Sequence, residues 1–240
     1  MKTPYVVAVV SKKGGVGKTS ISVNMAAVLA SLGSGVLLID ADPGNANIID
    51  FLGMEQPKKG FKDVLFDMLE AKPYIVHYQQ GKFDVLPGTD YVGVYAPTTE
   101  QVIHLGAQAK YQDYDFIIVD NSPTLSFFAA AGPLFNMQFI VSTPQAPALN
   151  ASKRLKELYE SNARKNSIVL NRVGASPYDL KPDEIKEKYG FDIAAILPED
   201  PIVPQSVAVK LPAFLLDRES KYSKAIYELS RVVYAGRATQ

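Results

Sequence analysis

The chain is expected to fold as a doubly wound α/β structure, a mostly parallel sheet with helices on both faces. Near-continuous apolar, β-branched runs recur at Tyr5–Ser11, Val36–Asp40, Phe83–Pro87, Phe116–Asp120, Gln138–Thr143, Ser167–Leu170 and Ile193–Leu197. Strands read this way when helices cover both sides of a parallel sheet, because neither face then needs polar residues. Helical patterns separate the runs, and strand–helix alternation specifies parallel crossover units rather than hairpins. With 240 residues, 47% of them apolar and 21% charged, the chain has enough apolar surface for a sizeable core.

Each element has a local reason. Ile21, Met25, Val28, Leu29 and Leu32 form one apolar stripe of a first helix, which Gly33 closes as a C-cap. The least regular stretch, Gly53 to Gly81, is read as an insertion with one helix in GFKDVLFDML. Pro182 opens a short helix that ends before Gly190, and Tyr222, Ile226, Leu229 and Val233 stripe the last one. No internal repeat, low-complexity tract or linker interrupts the pattern, so residues 1–240 are expected to form one domain.

Composition excludes several functions. The absence of cysteine rules out disulfides, thiolate metal sites, iron–sulfur clusters and a cysteine nucleophile. Two histidines, His77 and His104, are too few for a three-histidine zinc site. Twenty-five basic side chains balance 25 acidic ones, so contact with nucleic acid or membrane requires a local patch. The opening MKTPYVVAVVSKKGG lacks a cleavage pattern, and the apolar stretch from Met25 to Ile39 is broken by Gly33-Ser34-Gly35. A cytoplasmic location is expected.

The most informative segment is SKKGGVGKTS, which links the first strand directly to the first helix. Gly14, Gly15, Val16 and Gly17 supply backbone N–H groups in a glycine-permissive loop able to cradle a phosphate chain. Lys18, Thr19 and Ser20 open the helix, whose N-terminus adds partial positive charge. In this arrangement Lys18 reaches the β- and γ-phosphates and the Thr19 hydroxyl coordinates magnesium. A dinucleotide fingerprint fits poorly, since Ser20 replaces the third glycine and Lys18 intrudes. Two further segments place carboxylates at strand ends: LLIDADPGNANI contains Asp40 and Asp42, and DFIIVDNSPTL contains Asp120. Such groups hold magnesium or orient water beside a phosphate loop.

The segment KGGVGKT, from Lys13 to Thr19, resembles the deviant Walker A loop of the ParA/MinD family of positioning ATPases. The strict Walker A pattern fails at its first position, where Lys12 stands, and the family's extra lysine matches Lys13. The resemblance implies ATP and magnesium as cofactors and a homodimer formed on ATP binding, in which Lys13 touches the partner's ATP. It also makes Asp40 and Asp120 magnesium-site carboxylates, with Asp42 positioning the hydrolytic water. Asn47 matches the asparagine of the MinD-like D-x-D-x-x-x-x-N segment, and Ser122, Pro123 and Thr124 resemble the following switch, with Ser122 in place of a proline. Asn171 in IVLNRV resembles the asparagine that reads adenine, and Pro198 in ILPEDPIVPQS the proline flanking the base.

Within the family the signals divide. Lys12 and SPTL lean towards DNA partition, whereas DADPGNAN and VSTPQAPAL lean towards the MinD and flagellar-placement branch. A ParA-type ATPase that positions DNA or another cargo, helped by an adaptor or activator protein, is the first expectation. A MinD-like enzyme is the alternative. The cluster-carrier relatives need paired cysteines, which this chain lacks. Arg218, Lys221, Lys224 and Arg231 are expected along one exposed face of the last helix, suited to sequence-independent DNA contact. Only Tyr234–Gln240 follow the last apolar stripe, so no membrane anchor is expected. Replacing Lys18→Ala is expected to weaken ATP binding at least tenfold, about 1.4 kcal/mol, in calorimetric titration; unchanged affinity would remove Lys18 from the phosphate site.

Overall fold

The computed structural model describes residues 3–42, 46–89, 96–121, 131–159 and 166–239. An eight-stranded sheet has the order β3-β4-β2-β5-β1-β6-β7-β8. Its strands are β1 (Tyr5–Val10), β2 (Val36–Ala41), β3 (Val76–Tyr78), β4 (Phe83–Leu86), β5 (Phe116–Asn121), β6 (Met137–Ser142), β7 (Asn166–Val173) and β8 (Ile193–Pro198). All pair in parallel except β3 with β4, so the expected doubly wound sheet is present. The seven runs read from the sequence are all strands; β3 is an addition inside the Gly53–Gly81 insertion.

Helices cover both faces. On one lie α1 (Lys18–Ser31), α2 (Ile48–Leu52), α7 (Ile202–Ala208), α8 (Ala213–Leu216) and α9 (Lys221–Ala238), whose side chains share a core with Val7, Val9, Leu38 and Ile118 of the sheet. On the other lie α3 (Phe61–Phe66), α4 (Thr99–Gly106), α5 (Ala146–Tyr159) and α6 (Pro182–Tyr189), which pack with Ala8, Val10, Leu37 and Ile117. Alternate strand residues thus feed opposite cores, as the period of two requires. Four buried residues of α9, Tyr222, Ile226, Leu229 and Val233, form the stripe expected for it. Burying each such side chain contributes roughly 1.5–3 kcal/mol.

The first helix differs from expectation in an instructive way. A single apolar stripe is predicted, yet α1 is buried almost all round, because α8 and α9 cover the side that faces away from the sheet. Leu32, assigned to the stripe, lies beyond the helix and is exposed. Small residues at Ala26, Ala27 and Ala30 permit this close packing, and Gly33 follows at φ 84, the left-handed geometry of a helix stop.

Two polar side chains, Ser22 and Asn24, are fully buried in α1. The Asn24 amide donates to the Ser20 carbonyl at 2.7 Å, and its Oδ1 accepts from the Phe214 N–H at 2.8 Å, joining α1 to the start of α8. Asn24→Ala leaves that buried N–H without its acceptor, which costs about 1–3 kcal/mol. Urea denaturation is expected to show this loss, and an unchanged midpoint would mean that the contact is dispensable.

Candidate nucleotide site

The chain order places the site. From β1 the chain crosses to β2 on one side, whereas from β5 it crosses to β6 on the other, so connections diverge beside β1. Ligands of open parallel sheets bind in the crevice outside the carboxyl ends of strands at such a point. The loop Ser11–Gly17 leaves β1 there and enters α1 at Lys18. Gly15 at φ 73 and Gly17 at φ 96 give it a curve that side chains resist. The Ser11 hydroxyl donates to the Lys13 carbonyl at 2.7 Å and tightens the turn. Lys12, Lys13 and Gly14 are exposed at the rim, whereas Lys18 is only 8% exposed and Val16 is buried.

Beneath the loop, Asp40 at the end of β2 and Asp120 at the end of β5 are register partners on neighbouring strands. Both are buried. The Thr19 hydroxyl donates to Asp120 Oδ2 at 2.6 Å, and the Ser22 hydroxyl approaches Oδ1 at 3.2 Å. Ser22 lies one helical turn beyond Thr19 and faces the same carboxylate. Sequence reasoning missed it, although the i, i+3 spacing from Thr19 was a usable signal. Asp40 Oδ2 accepts the backbone N–H groups of Asn47 and Ile48 at 3.0 and 3.1 Å, and Oδ1 accepts that of Asp42 at 3.3 Å. Asp40 therefore shapes the segment that carries Asp42 and starts α2. Gly88 packs directly on it: a Cβ there would stand 2.9 Å from the Asp40 carboxyl carbon. Nothing in the sequence signalled that contact.

Burial dominates the electrostatics. It pushes the Asp40 carboxyl up to about 8, reinforced by the charge of Asp120 and opposed by the N–H groups of Ile48 and Asp42. Burial pushes Asp120 up to about 6 against the lowering pull of Thr19, Lys18 and Ser22. Two neighbouring buried carboxyls of this kind titrate as a pair and favour retaining a proton near neutral pH. A divalent cation favours the ionised forms, which is the chemistry expected of a magnesium site.

At the other end of the loop, Asn171 closes β7 against the loop. Its Nδ2 donates to the Val16 carbonyl at 2.7 Å, and a Cβ on Gly17 would collide with that same nitrogen. Adjacent is a cavity of about 350 Å3 lined by Gly17, Ser20, Asn171, Arg172, Pro198 and neighbouring residues of α7. Its size suits a nucleoside. With its N–H given to Val16, the amide's Oδ1 is an acceptor of the kind an exocyclic amino group needs. Arg172, at φ 59, and Val203 and Val207 of α7 are lining residues that sequence reasoning missed. A larger apolar cavity of about 400 Å3, lined by Val6, Phe61, Leu105, Ile117 and Leu134 among others, includes no residue of the phosphate loop in its lining.

The structure thus brings together Gly14, Gly15, Val16, Gly17, Lys18, Thr19, Ser20, Asp40, Asp120, Asn171 and Pro198 around one crevice, with Lys13 on its rim and Asp42 beside Asp40. Asn47 contributes its backbone N–H. Ser122, Pro123 and Thr124 lie outside the described residues. The glycine cradle, the buried lysine, the paired acids and the nucleoside-sized cavity fit a magnesium–nucleotide complex.

Fold and site define a nucleotide-binding protein of the P-loop architecture. The family described as AAA domain matches residues 4–167. The septum site-determining protein MinD of Thermotoga maritima is 29% identical over 248 residues, covering 94% of this chain and 86% of the relative. Among solved structures, MinD of Pyrococcus horikoshii complexed with Mg-ADP superposes with a TM-score of 0.80 at 26% identity, covering 96% of each chain. The MinC:MinD cell division complex of Aquifex aeolicus gives 0.83 at 27% identity, again covering 96% of each. The chain belongs to the ParA/MinD family of P-loop ATPases.

The paired acids yield a test. Both carboxyls lie above their ordinary value of 3.8, so the folded state holds protons that the unfolded chain releases. Their contribution to stability is complete below that value and is lost as pH rises through the folded values. In magnesium-free buffer, urea denaturation of Asp40→Asn is expected to show a flatter decline of stability between about pH 5 and 8 than wild type. Parallel pH profiles would contradict the raised values.

Proposed function

We propose that the chain is an ATP-dependent ATPase that dimerises on binding ATP and uses that switch to position a cellular cargo. The contrast between two lysines of one loop carries this reading: Lys18 is buried at the start of α1, whereas Lys13 is exposed on the rim. Lys18 serves the nucleotide of its own chain, and Lys13 is available to a partner's. Thr19, Asp120 and Asp40 form the magnesium side of the site. Among the described residues no group of three His, Asp or Glu side chains is suited to hold a metal alone, which agrees with magnesium's habit of combining few carboxylates with substrate phosphates. Asn171 and Pro198 hold the adenine end. When bound, magnesium would neutralise charge at the γ-phosphate. Asp42 then orients the attacking water, and Lys18 and the loop amides fix the phosphates in place.

For the cargo, two observations favour the MinD-like role over DNA partition. Relatives named as septum site-determining proteins match over most of the chain. Three of the four cations expected to meet DNA are already engaged: Lys224 pairs with Glu219 at 2.8 Å, Arg231 with Glu228 at 3.4 Å, and Arg218 lies over the Phe214 ring. The two ion pairs set an acidic group beside Lys224 and Arg231 and so lower the local positive field that DNA would need, whereas the Phe214 ring leaves the charge of Arg218 in place. The apolar stripe of α9 is spent in the core, so this helix is not the one that would lie on a membrane. No helix among the described residues is long and apolar enough to cross one.

Light scattering tests the switch. Asp42→Ala is expected to bind ATP, cease turnover and accumulate as a dimer. Lys13→Ala is expected to bind ATP and stay monomeric. A Lys13→Ala protein that dimerises as well as the hydrolysis-blocked form would make Lys13 a solvated loop lysine.

A further inference from the structure

The short helix α2 connects the two ends of the site. It has five residues, too few to be stable without support. Its N-terminal N–H groups, those of Asn47 and Ile48, are held by Asp40. Its C-terminal end is held from elsewhere in the chain: Lys210 Nζ donates to the Asp50 carbonyl at 2.6 Å. The lysine stem lies against Gly53, where a Cβ would stand 2.9 Å from Lys210 Cβ; Gly53 also ends α2 at φ 65, so two independent constraints select glycine. A cation at the last carbonyls of a helix is electrostatically favourable.

Lys210 is itself bound to the base cavity. It follows α7, whose Val203, Pro204 and Val207 line that cavity. The Lys210 N–H donates to the Val207 carbonyl at 3.3 Å, and the Leu211 N–H to the Ser206 carbonyl at 3.0 Å. The Tyr78 hydroxyl reaches the Lys210 carbonyl at 3.5 Å from β3. These contacts hold the backbone at φ 60, which aims the side chain at α2. A contiguous series therefore runs from the base cavity through α7, Lys210 and α2 to Asp40 and the segment carrying Asp42.

The geometry points to Lys210 as a positioning residue that couples seating of the nucleotide base to the ordering of α2 and the Asp40–Asp42 segment. The inference rests on the nucleotide-site reading above. A base pressed against α7 fixes the wall that carries Lys210. With Lys210 fixed, the C-terminal end of α2 is fixed, and the acceptor geometry at Asp40 and Asp42 follows. Magnesium and phosphate alone act on α2 only from Asp40, at its N-terminal end, and do not engage Lys210.

Hydrogen exchange of the 49–52 amides, at the end of α2 held by Lys210, tests the coupling without turnover. In wild type, Mg–ADP is expected to slow exchange by about fivefold or more, and magnesium pyrophosphate by less than about twofold. Lys210→Met keeps the stem and removes the charge; it is expected to lose the ADP-specific part, with ADP affinity lowered by no more than that same factor of about five, as linkage requires, and with a wild-type melting temperature. Lys210→Arg is expected to restore the protection. The steady-state rate with ATP is expected to fall severalfold in Lys210→Met with an unchanged KM. Equal protection by ADP and pyrophosphate in wild type, or full ADP protection in Lys210→Met, would overturn the coupling. Calorimetry of Mg–ADP binding to wild type separates this from the site itself: no binding would overturn both.

Discussion

Two carboxyl groups buried side by side at the ends of β2 and β5 impose the central constraint on this protein. Such a pair is unfavourable unless donors, a proton or a cation compensate it. Much of the local architecture supplies that compensation. Thr19 and Ser22 turn the first two turns of α1 towards Asp120, and Lys18 adds its charge. The amides of Asp42, Asn47 and Ile48 donate to Asp40. Gly88 lets the segment after β4 approach the same carboxyl closely. Three strand ends and two helix starts thus converge on one point. A divalent cation with a phosphate chain would complete the arrangement electrostatically.

The far end of the crevice is built by different means. There the Asn171 amide fastens β7 to the phosphate loop through Val16, and the Asp200 side chain joins two helices. Its Oδ1 accepts from Ile202 of α7 and its Oδ2 from Tyr222 of α9. The cavity between them has rigid walls fixed to helices on one face of the sheet. A nucleotide would join this end to the paired acids, which agrees with belonging to a family of ATPases and with the likeness of the whole fold to MinD complexed with Mg-ADP.

Much of this was legible in the sequence because it depends on local chemistry. Continuous apolar runs mark parallel strands, and the glycines and lysines between β1 and α1 mark a phosphate loop. The strand missed, β3, has only three residues, Val-His-Tyr, and pairs antiparallel at the sheet edge, so it carries neither length nor an apolar run. The short α2 was missed because its stability comes from Asp40 and Lys210, which are remote in sequence. The stripe assigned to α1 erred for the same kind of reason: the later helices α8 and α9 bury the side that the pattern left to solvent. At the site, the residue types of the loop and strand ends were readable, whereas Ser22, Gly88 and the α7 wall emerge only when distant segments meet. Of the basic face expected on α9, Arg218 lies before the helix, which begins at Lys221 after its Ser220 cap, and Lys224 and Arg231 acquire acidic neighbours on folding.

The most direct test is the thermal unfolding of the wild-type protein with Mg–ADP, with ADP and EDTA, and with Mg–GDP. At a hundredfold excess over its dissociation constant a ligand adds about 2.7 kcal/mol of stability. For a chain of this size that raises the melting temperature by roughly 5–10 °C. The account predicts that rise with Mg–ADP and only a small fraction of it with ADP in EDTA or with Mg–GDP. An equal shift with Mg–GDP, or with ADP in EDTA, would contradict the adenine-reading, magnesium-dependent site built around Asn171 and the paired acids.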